Sequence, residues 1–475
     1  MTTLQPHDDA VLAQAAALRQ QLGDTVHDQI SESMYTAATT IADRAVVRSG
    51  QSQAFRLDRA IDQIVTSRVW GFPMMALMLM AIFWLTIAGA NVPSALLGEL
   101  LVGTVYGWLQ QGAVAIGMPW WLRGALLDGM YLATAWVVSV MLPPMAIFFP
   151  LFTLLEDLGY LPRVAFNLDR LFQRAGAHGK QSLSMMMGWG CNAAGVVSTR
   201  IIDSPRERLI AIITNNFSIC NGRWPTLILM GTIFIGATAP AAVASLVAAT
   251  SVVTVTMLGI VTTLLVSAWL SRTWLRGEAS AFSLELPPYR PPQVWRTIST
   301  SLVDRTLLVL WRAVVMAAPA GLVIWLISNV TVADVSLAAY AVAWLEPVAW
   351  LMGLNGVILL AYVVAIPANE IIIPTILMLT LNLAKSPLAQ SGVMLELADD
   401  VVYTTLTQYG GWTMLTAVNL MLYSLLHNPC STTIWTIWKE TQSVKWTAVA
   451  TFLPVLLGVI VTMLVAALAR LLGVV

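Results

Sequence analysis

Ser182 to Arg200 reads SLSMMMGWGCNAAGVVSTR, an apolar run that would suit a membrane helix except that Gly188 and Gly190 interrupt it and Cys191 and Asn192 follow at once. Glycine inside a helix costs about 1 kcal/mol relative to alanine, and backbone opened at hydrocarbon depth must find partners in protein or in a water-filled cavity. The stretch is therefore read as a broken segment lining a path for a solute. The plainer alternative is a glycine packing face with a small buried thiol. Arg200, Arg206 and Arg208 follow directly. A complete crossing would put them opposite the other basic loops, so the segment is expected to dip in and return, or to be completed by a second half-helix.

The rest of the chain supplies the bilayer around it. Across 475 residues, 58% are hydrophobic and 11% charged, and the mean hydropathy is +0.75, more apolar surface than one soluble core could hide. The 25 basic and 25 acidic residues cancel, which gives no field of one sign to attract nucleic acid or an acidic partner. Three cysteines, at 191, 220 and 430, fall in or beside apolar segments, where a disulfide framework is not expected. The 19 tryptophans suit interfacial anchoring. The first 54 residues are polar and mixed in charge, unlike a signal peptide. Within them LAQAAALRQQL and ISESMYTAATTIADRAVV have helical spacing, which predicts short cytoplasmic helices. Arg56, Arg59 and Arg68 precede the first apolar run and place the amino terminus in the cytoplasm.

These patterns predict an all-α polytopic membrane protein, an inverted-repeat helical bundle with broken or re-entrant helices. Residues 1–68 form a cytoplasmic helical segment, 69–123 a first crossing (70–90) and a piece along the outer interface (93–117), 124–270 a first membrane repeat, 271–305 a cytoplasmic loop, and 306–475 a second repeat. The first repeat reads as a crossing kinked at Pro143 and Pro144, an amphipathic piece (YLPRVAFNLDRLF), a broken segment with Cys191-Asn192, a crossing interrupted at Cys220-Asn221, and a last crossing. The second reads as a crossing, an amphipathic piece (AYAVAWLEPVAW), a segment broken at Pro367 and Pro374 and holding Asn369-Glu370, a crossing interrupted at Asn428-Pro429-Cys430, and a last crossing. The basic loops give the two repeats opposite orientations, the arrangement in which substrate sites form at the midplane where discontinuous helices meet.

The four breaks predict a donor set. Cys191, Cys220 and Cys430 offer sulfur, Asn192, Asn221, Asn369 and Asn428 amide oxygen, Glu370 a carboxylate, and His427 an imidazole. Soft and hard donors together point to Fe²⁺, with Mn²⁺, Co²⁺ or Zn²⁺ as competitors. Each thiol alone also reads as a small buried residue, and Glu370 as a partner for an opened helix end, although an intramembrane carboxylate is functional by default. Glu156 and Asp157 read as an exit site or as a cap for the helix near Leu161.

From about Phe55 onward the chain resembles the membrane part of the FeoB family of bacterial ferrous iron transporters. The resemblance is carried by LDRAIDQIVTSRVWGFP, FFPLFTLLEDLGYLPRVAFNLDRLF, GWGCN, STRIIDSPRERL, FSLELPPYRPP and NPCSTTIWTIWKETQSVKW. It implies uptake of Fe²⁺ across the bacterial cytoplasmic (inner) membrane by a multi-pass protein, with gate segments around GWGCN and Cys191, Cys220 and Cys430 in gate and pore motifs. Fe²⁺ is then cargo, and no resident cofactor is expected. Members of the family usually begin with a GTPase domain. The nearest phrase here, GAHGKQS from Gly176, lacks the spacing and the Ser or Thr after Lys that cradle phosphate. The expected partners are therefore a separate GTPase subunit or a small FeoA-like protein, unless the chain works without nucleotide. Ala194 stands where the family usually has Pro, and Asn369 where relatives tend to have a basic residue. The residues also fit a transporter of a nucleoside-like organic solute, an intramembrane thiol enzyme, or a regulatory subunit that does not transport.

Overall fold

The computed structural model describes residues 14, 26–45, 61–67, 69–177, 179–240, 243–277, 293–384 and 399–473. LAQAAALRQQL apart from Gln14, the FSLELPPYRPP phrase and Lys385 lie outside the described residues. Apart from a hairpin of two-residue strands, β1 (Thr331–Val332) and β2 (Val335–Ser336), the described secondary structure is helical, as the composition predicts.

An exposed helix, α1 (Val26–Ala45), precedes the apolar part. Next come α2 (Gly71–Ala115) and α3 (Trp120–Asp157), each longer than the ~20 residues a crossing needs. The expected division into a crossing at 70–90 and an interfacial piece at 93–117 is absent, because α2 continues through Pro93 and a π-turned stretch at Glu99–Val105. Its far end is tied to α3 by Asp128, which accepts from Tyr106 Oη at 2.6 Å and Gln110 Nε2 at 2.5 Å. Polar side chains thus join the far ends of two helices that already pack along their apolar parts.

The first repeat continues with the amphipathic α4 (Tyr160–Arg174), then α5 (Gln181–Gly190) and α6 (Asn192–Ser198), then α7 (Pro205–Thr214) and α8 (Trp224–Met230), and finally α9 (Ala244–Arg272). After α10 (Val294–Thr300), the second runs α11 (Leu308–Asn329), α12 (Leu337–Leu351), α13 (Gly356–Val364) and α14 (Ile372–Leu383), α15 (Asp399–Thr404), α16 (Met414–Leu426) and α17 (Ser431–Thr441), and α18 (Val444–Leu471). The order of long helix, short helix, broken pair, broken pair, long helix therefore occurs twice. About a fifth of the most apolar window of α2, α9 and α18 is buried, against half of that of α3, so the first three form the apolar outer surface and α3 runs inside.

Helix α4 is set on α3 by Gly159, whose φ of +82° makes the turn. The cap position is Gly159, and Asp157 accepts from Thr297 Oγ1 at 2.5 Å. Fully buried Arg163 donates to Asp62 Oδ1 at 3.0 Å and to the Gly159 carbonyl at 2.7 Å, anchoring the segment before the membrane.

The deciding stretch does dip in and return. A straight helix would carry Gly195 some 16 Å beyond Ser184, yet a β-carbon on Gly195 would stand 2.8 Å from the Ser184 carbonyl oxygen. The limbs α5 and α6 are thus folded on each other, and Lys180 before them donates to the Ile201 carbonyl after them at 2.9 Å. The glycines have a packing reason, since Asn215 lies where β-carbons on Gly188 and Gly195 would be. Helix α5 runs through both Gly188 and Gly190, and the fold back comes at Cys191, which is extended (φ −151°, ψ 122°).

The loops after α4, α6, α9 and α17 share one end of the molecule. Arg206 donates to the Leu275 carbonyl at 2.6 Å and the Gly176 carbonyl at 3.1 Å, while Arg200 and Arg208 each reach Glu440 at 2.6 Å. Arg208 near the start of α7 thus meets Glu440 near the end of α17. The fourth elements of the two halves lie side by side and run in opposite directions.

Candidate functional site

Each broken pair turns at one or two extended residues, and the angles repeat. Cys191 (φ −151°, ψ 122°) matches Ala368 (φ −152°, ψ 116°), and Cys220 (φ −78°, ψ 167°) matches Cys430 (φ −64°, ψ 159°). The sequence pairs Cys191-Asn192 with Asn369-Glu370. The backbone pairs Asn192 with Asn369, so the position corresponding to Cys191 is Ala368. In the second half the break falls at Ala365–Ala368, with Pro367 inside it, whereas Pro374 lies within α14 and interrupts nothing.

The four breaks converge on one small cleft of about 40 Å³ between the halves. Cys191, Asn192, Cys220 and Asn221 line it from the first half, and Asn369, Glu370 and Cys430 from the second, with Met141, Met145, Val309 and Ala313 of α3 and α11 as an apolar wall. Asn428 is not in this lining. Its amide donates to the Pro429 carbonyl at 3.2 Å, and its own carbonyl accepts from Arg223 at 3.2 Å. All three cysteines are free thiols. Among the described residues no three His, Cys, Asp or Glu side chains stand close enough together to hold a metal ion.

Several predicted donors already have partners. The Asn192 amide meets the Gly188 and Ser218 carbonyls at 3.0 and 3.1 Å, and because carbonyls only accept, its nitrogen is the atom facing them. That side chain closes the break of α5. Asn369 is 3.2 Å from His427 Nε2 through Oδ1 and 4.0 Å from Cys220 Sγ through Nδ2. Cys430 Sγ lies 3.2 Å from Thr433 Oγ1. His427 is buried, with Nδ1 donating to the Ser424 carbonyl at 2.8 Å. Glu370 lies against Gly222, where a β-carbon would run into the carboxylate.

Sequence reasoning missed Arg223. It is 1% exposed and sits under the breaks of both halves. One nitrogen donates to the Asn216 carbonyl at 2.9 Å and the Leu425 carbonyl at 3.1 Å, the other to Asn216 Oδ1 at 2.9 Å and to the His427 and Asn428 carbonyls at 3.4 and 3.2 Å. The Leu425, His427 and Asn428 carbonyls belong to the opened end of α16, whose last groups have no intrahelical donor, and Asn216 to the break of the first half. The signal was a lone guanidinium in the apolar run FSICNGRWPTLILM, a charge that belongs in a membrane only where it has partners.

Comparison with known proteins adds the following. A family described as Gate, nucleoside recognition, matches residues 138–234 and 310–444, and one described as ferrous iron transport protein B C terminus matches 252–305. Relatives named Fe(2+) transporter FeoB are 28% identical over 85% of the chain in Staphylococcus aureus (strain MSSA476) and 28% over 86% in Synechocystis sp. (strain ATCC 27184 / PCC 6803 / Kazusa). The chain covers 58% and 62% of those two proteins. The one from Escherichia coli (strain K12) is 33% identical over 61% of the chain and 35% of its own length. The chain thus spans about three fifths of the length of the first relatives it matches. No solved structure matches it.

Proposed function

The chain belongs to the FeoB family, as its membrane part, and from that premise we propose that it carries Fe²⁺ into the bacterial cytoplasm through the cleft where the four breaks meet. The observation that carries this reading is the convergence of all three thiols, one carboxylate and three Asn side chains from two oppositely directed halves. Thiolate suits Fe²⁺ and carboxylate and amide oxygen suit harder cations, so Mn²⁺ is the first competitor. A transit site must also let go. Because no three acidic, thiol or imidazole side chains form a cage, the ion passes from one or two donors to the next, shedding water stepwise. The end carrying Arg200, Arg206 and Arg208 then faces the cytoplasm of an inner-membrane protein, by the bias of basic loops, and the amino-terminal segment lies on that side. A GTPase on another polypeptide, or a small FeoA-like protein, is the partner such an end would meet.

The test is Fe²⁺ uptake into liposomes holding the purified protein. Cys191→Ser and Cys430→Ser are each expected to slow it about tenfold or more, and parental rates in both would remove the thiols from the path. A second reading is kept by the nucleoside description of the matching family alone, since the cleft, about 40 Å³, has room for an ion and not for a nucleoside. Thermal stabilisation separates the two: Fe²⁺ or Mn²⁺ under reducing conditions raises the unfolding temperature if ions are carried, and nucleosides do so if they are.

A further inference from the structure

A second, larger cavity of about 510 Å³ shares a lining residue with the cleft. Helices α3 and α11 and the returning limb line both. Along α3 the lining passes from Met145 in the cleft to Phe152 and Glu156 in the second cavity, and along the returning limb from Cys191 to Val197 and Arg200. On α11 it passes from Ala313 to Arg312, and Val309 lines both spaces. The second cavity reaches the basic end: Arg200 at its rim is the residue that pairs with Glu440, its side chain 64% exposed, and Val197 and Ile201 in its wall are 38% and 39% exposed. The cleft and this vestibule therefore meet at one isopropyl side chain, that of Val309.

We propose that Val309 is an apolar gate between the cleft and a vestibule open at the basic end, and that ions leave the cleft past it. The proposal rests on the transport reading for its direction but on geometry for its existence. A constriction with apolar walls excludes water and hence a hydrated cation, and it conducts when it widens or wets. Here one wall, α11, belongs to the second half and the other, the limb α6, to the first, so relative movement of the halves changes the gap. Glu156 of α3 also lines the vestibule.

The experiment reads access to Cys191, which lines the cleft but not the vestibule. The full chain in lipid nanodiscs is treated with a cationic methanethiosulfonate reagent, and each cysteine is followed separately by peptide mass spectrometry. Val309→Ala is expected to speed modification of Cys191 about tenfold. Val197→Trp, which fills the vestibule from the opposite wall, is expected to slow it by a similar factor, alone and in combination with Val309→Ala. Thermal unfolding shows that each variant is folded. Unchanged rates in both folded variants would overturn the gate, as would a Val309→Ala acceleration that Val197→Trp leaves intact, since the reagent would then be arriving by another way. Failure of the parent to take up Fe²⁺ would instead remove the transport reading, and the labelling rates would still decide the gate.

Discussion

At the scale of single residues, Arg223 bears most directly on the site. Its guanidinium occupies five acceptors contributed by both halves, and no neutral side chain could do so. Buried carbonyls stripped of donors cost about 1–3 kcal/mol each, and part of that is recovered by relaxation. Arg223→Leu is expected to lower stability by roughly 3 kcal/mol or more, seen as a lower unfolding temperature in detergent. Arg223→Lys should recover only part, because an ammonium lacks the planar fork; equal stability of Leu and Arg would show that the contacts contribute nothing. The residue was legible as an anomaly but not as a bridge, since its partners lie up to 205 positions away. The reverse holds for Asn428, which the sequence offers beside Cys430 and whose amide is engaged by the Pro429 carbonyl and is not in the lining of the cleft. An amide next to a break is as apt to close the break as to face a solute, and residue type alone does not separate the two.

At the scale of elements, the four breaks were legible because Gly, Pro, Asn and Cys in apolar runs contradict a plain span. Their position within a turn was not. Gly188 and Gly190 leave α5 intact because they make room for Asn215 and for the Phe148 ring, whereas Cys191, with no such signature, takes the extended angles. Likewise Pro374 is tolerated early in α14, where the missing N–H has no helical acceptor. The piece at 93–117 is not a separate element but continues α2, and Asp128 of α3 holds two polar side chains of it, Tyr106 and Gln110. Between elements, Glu440 joins the returning limb and α7 to the end of α17. Glu440 is 5% exposed and holds two guanidiniums, and the contact pushes the Arg200 pKa further up from an already high value, so that side chain stays charged throughout the working range. Glu440→Gln is expected to cost about 1 kcal/mol at low salt and less at high salt, measured as the shift in unfolding temperature against ionic strength. A loss unaffected by salt would assign the role to packing.

For the whole molecule, the helical class, the duplicated order and the antiparallel setting of the halves follow from hydropathy and basic loops, and the structure adds a register one residue different from the one sequence suggests. That register makes Ala368 the counterpart of Cys191 and leaves three thiols where a fully symmetric duplication would have four. Ala368→Cys is expected to tighten binding of Co²⁺ about tenfold, with the charge-transfer absorption of a thiolate complex, because soft donors favour such ions. It should also slow Fe²⁺ uptake, since a cargo held more firmly is released less readily. Unchanged Co²⁺ affinity would show that position 368 does not face the same space as Cys191.

The doubled-back limb has a mechanical consequence. Both of its roots, at Lys180 and Ile201, are moored on the same face, so the plug bearing Cys191 hangs from one shore only. A soluble machine working in that compartment could pull or release it with no lever reaching through the bilayer, and the far shore need only present an open mouth.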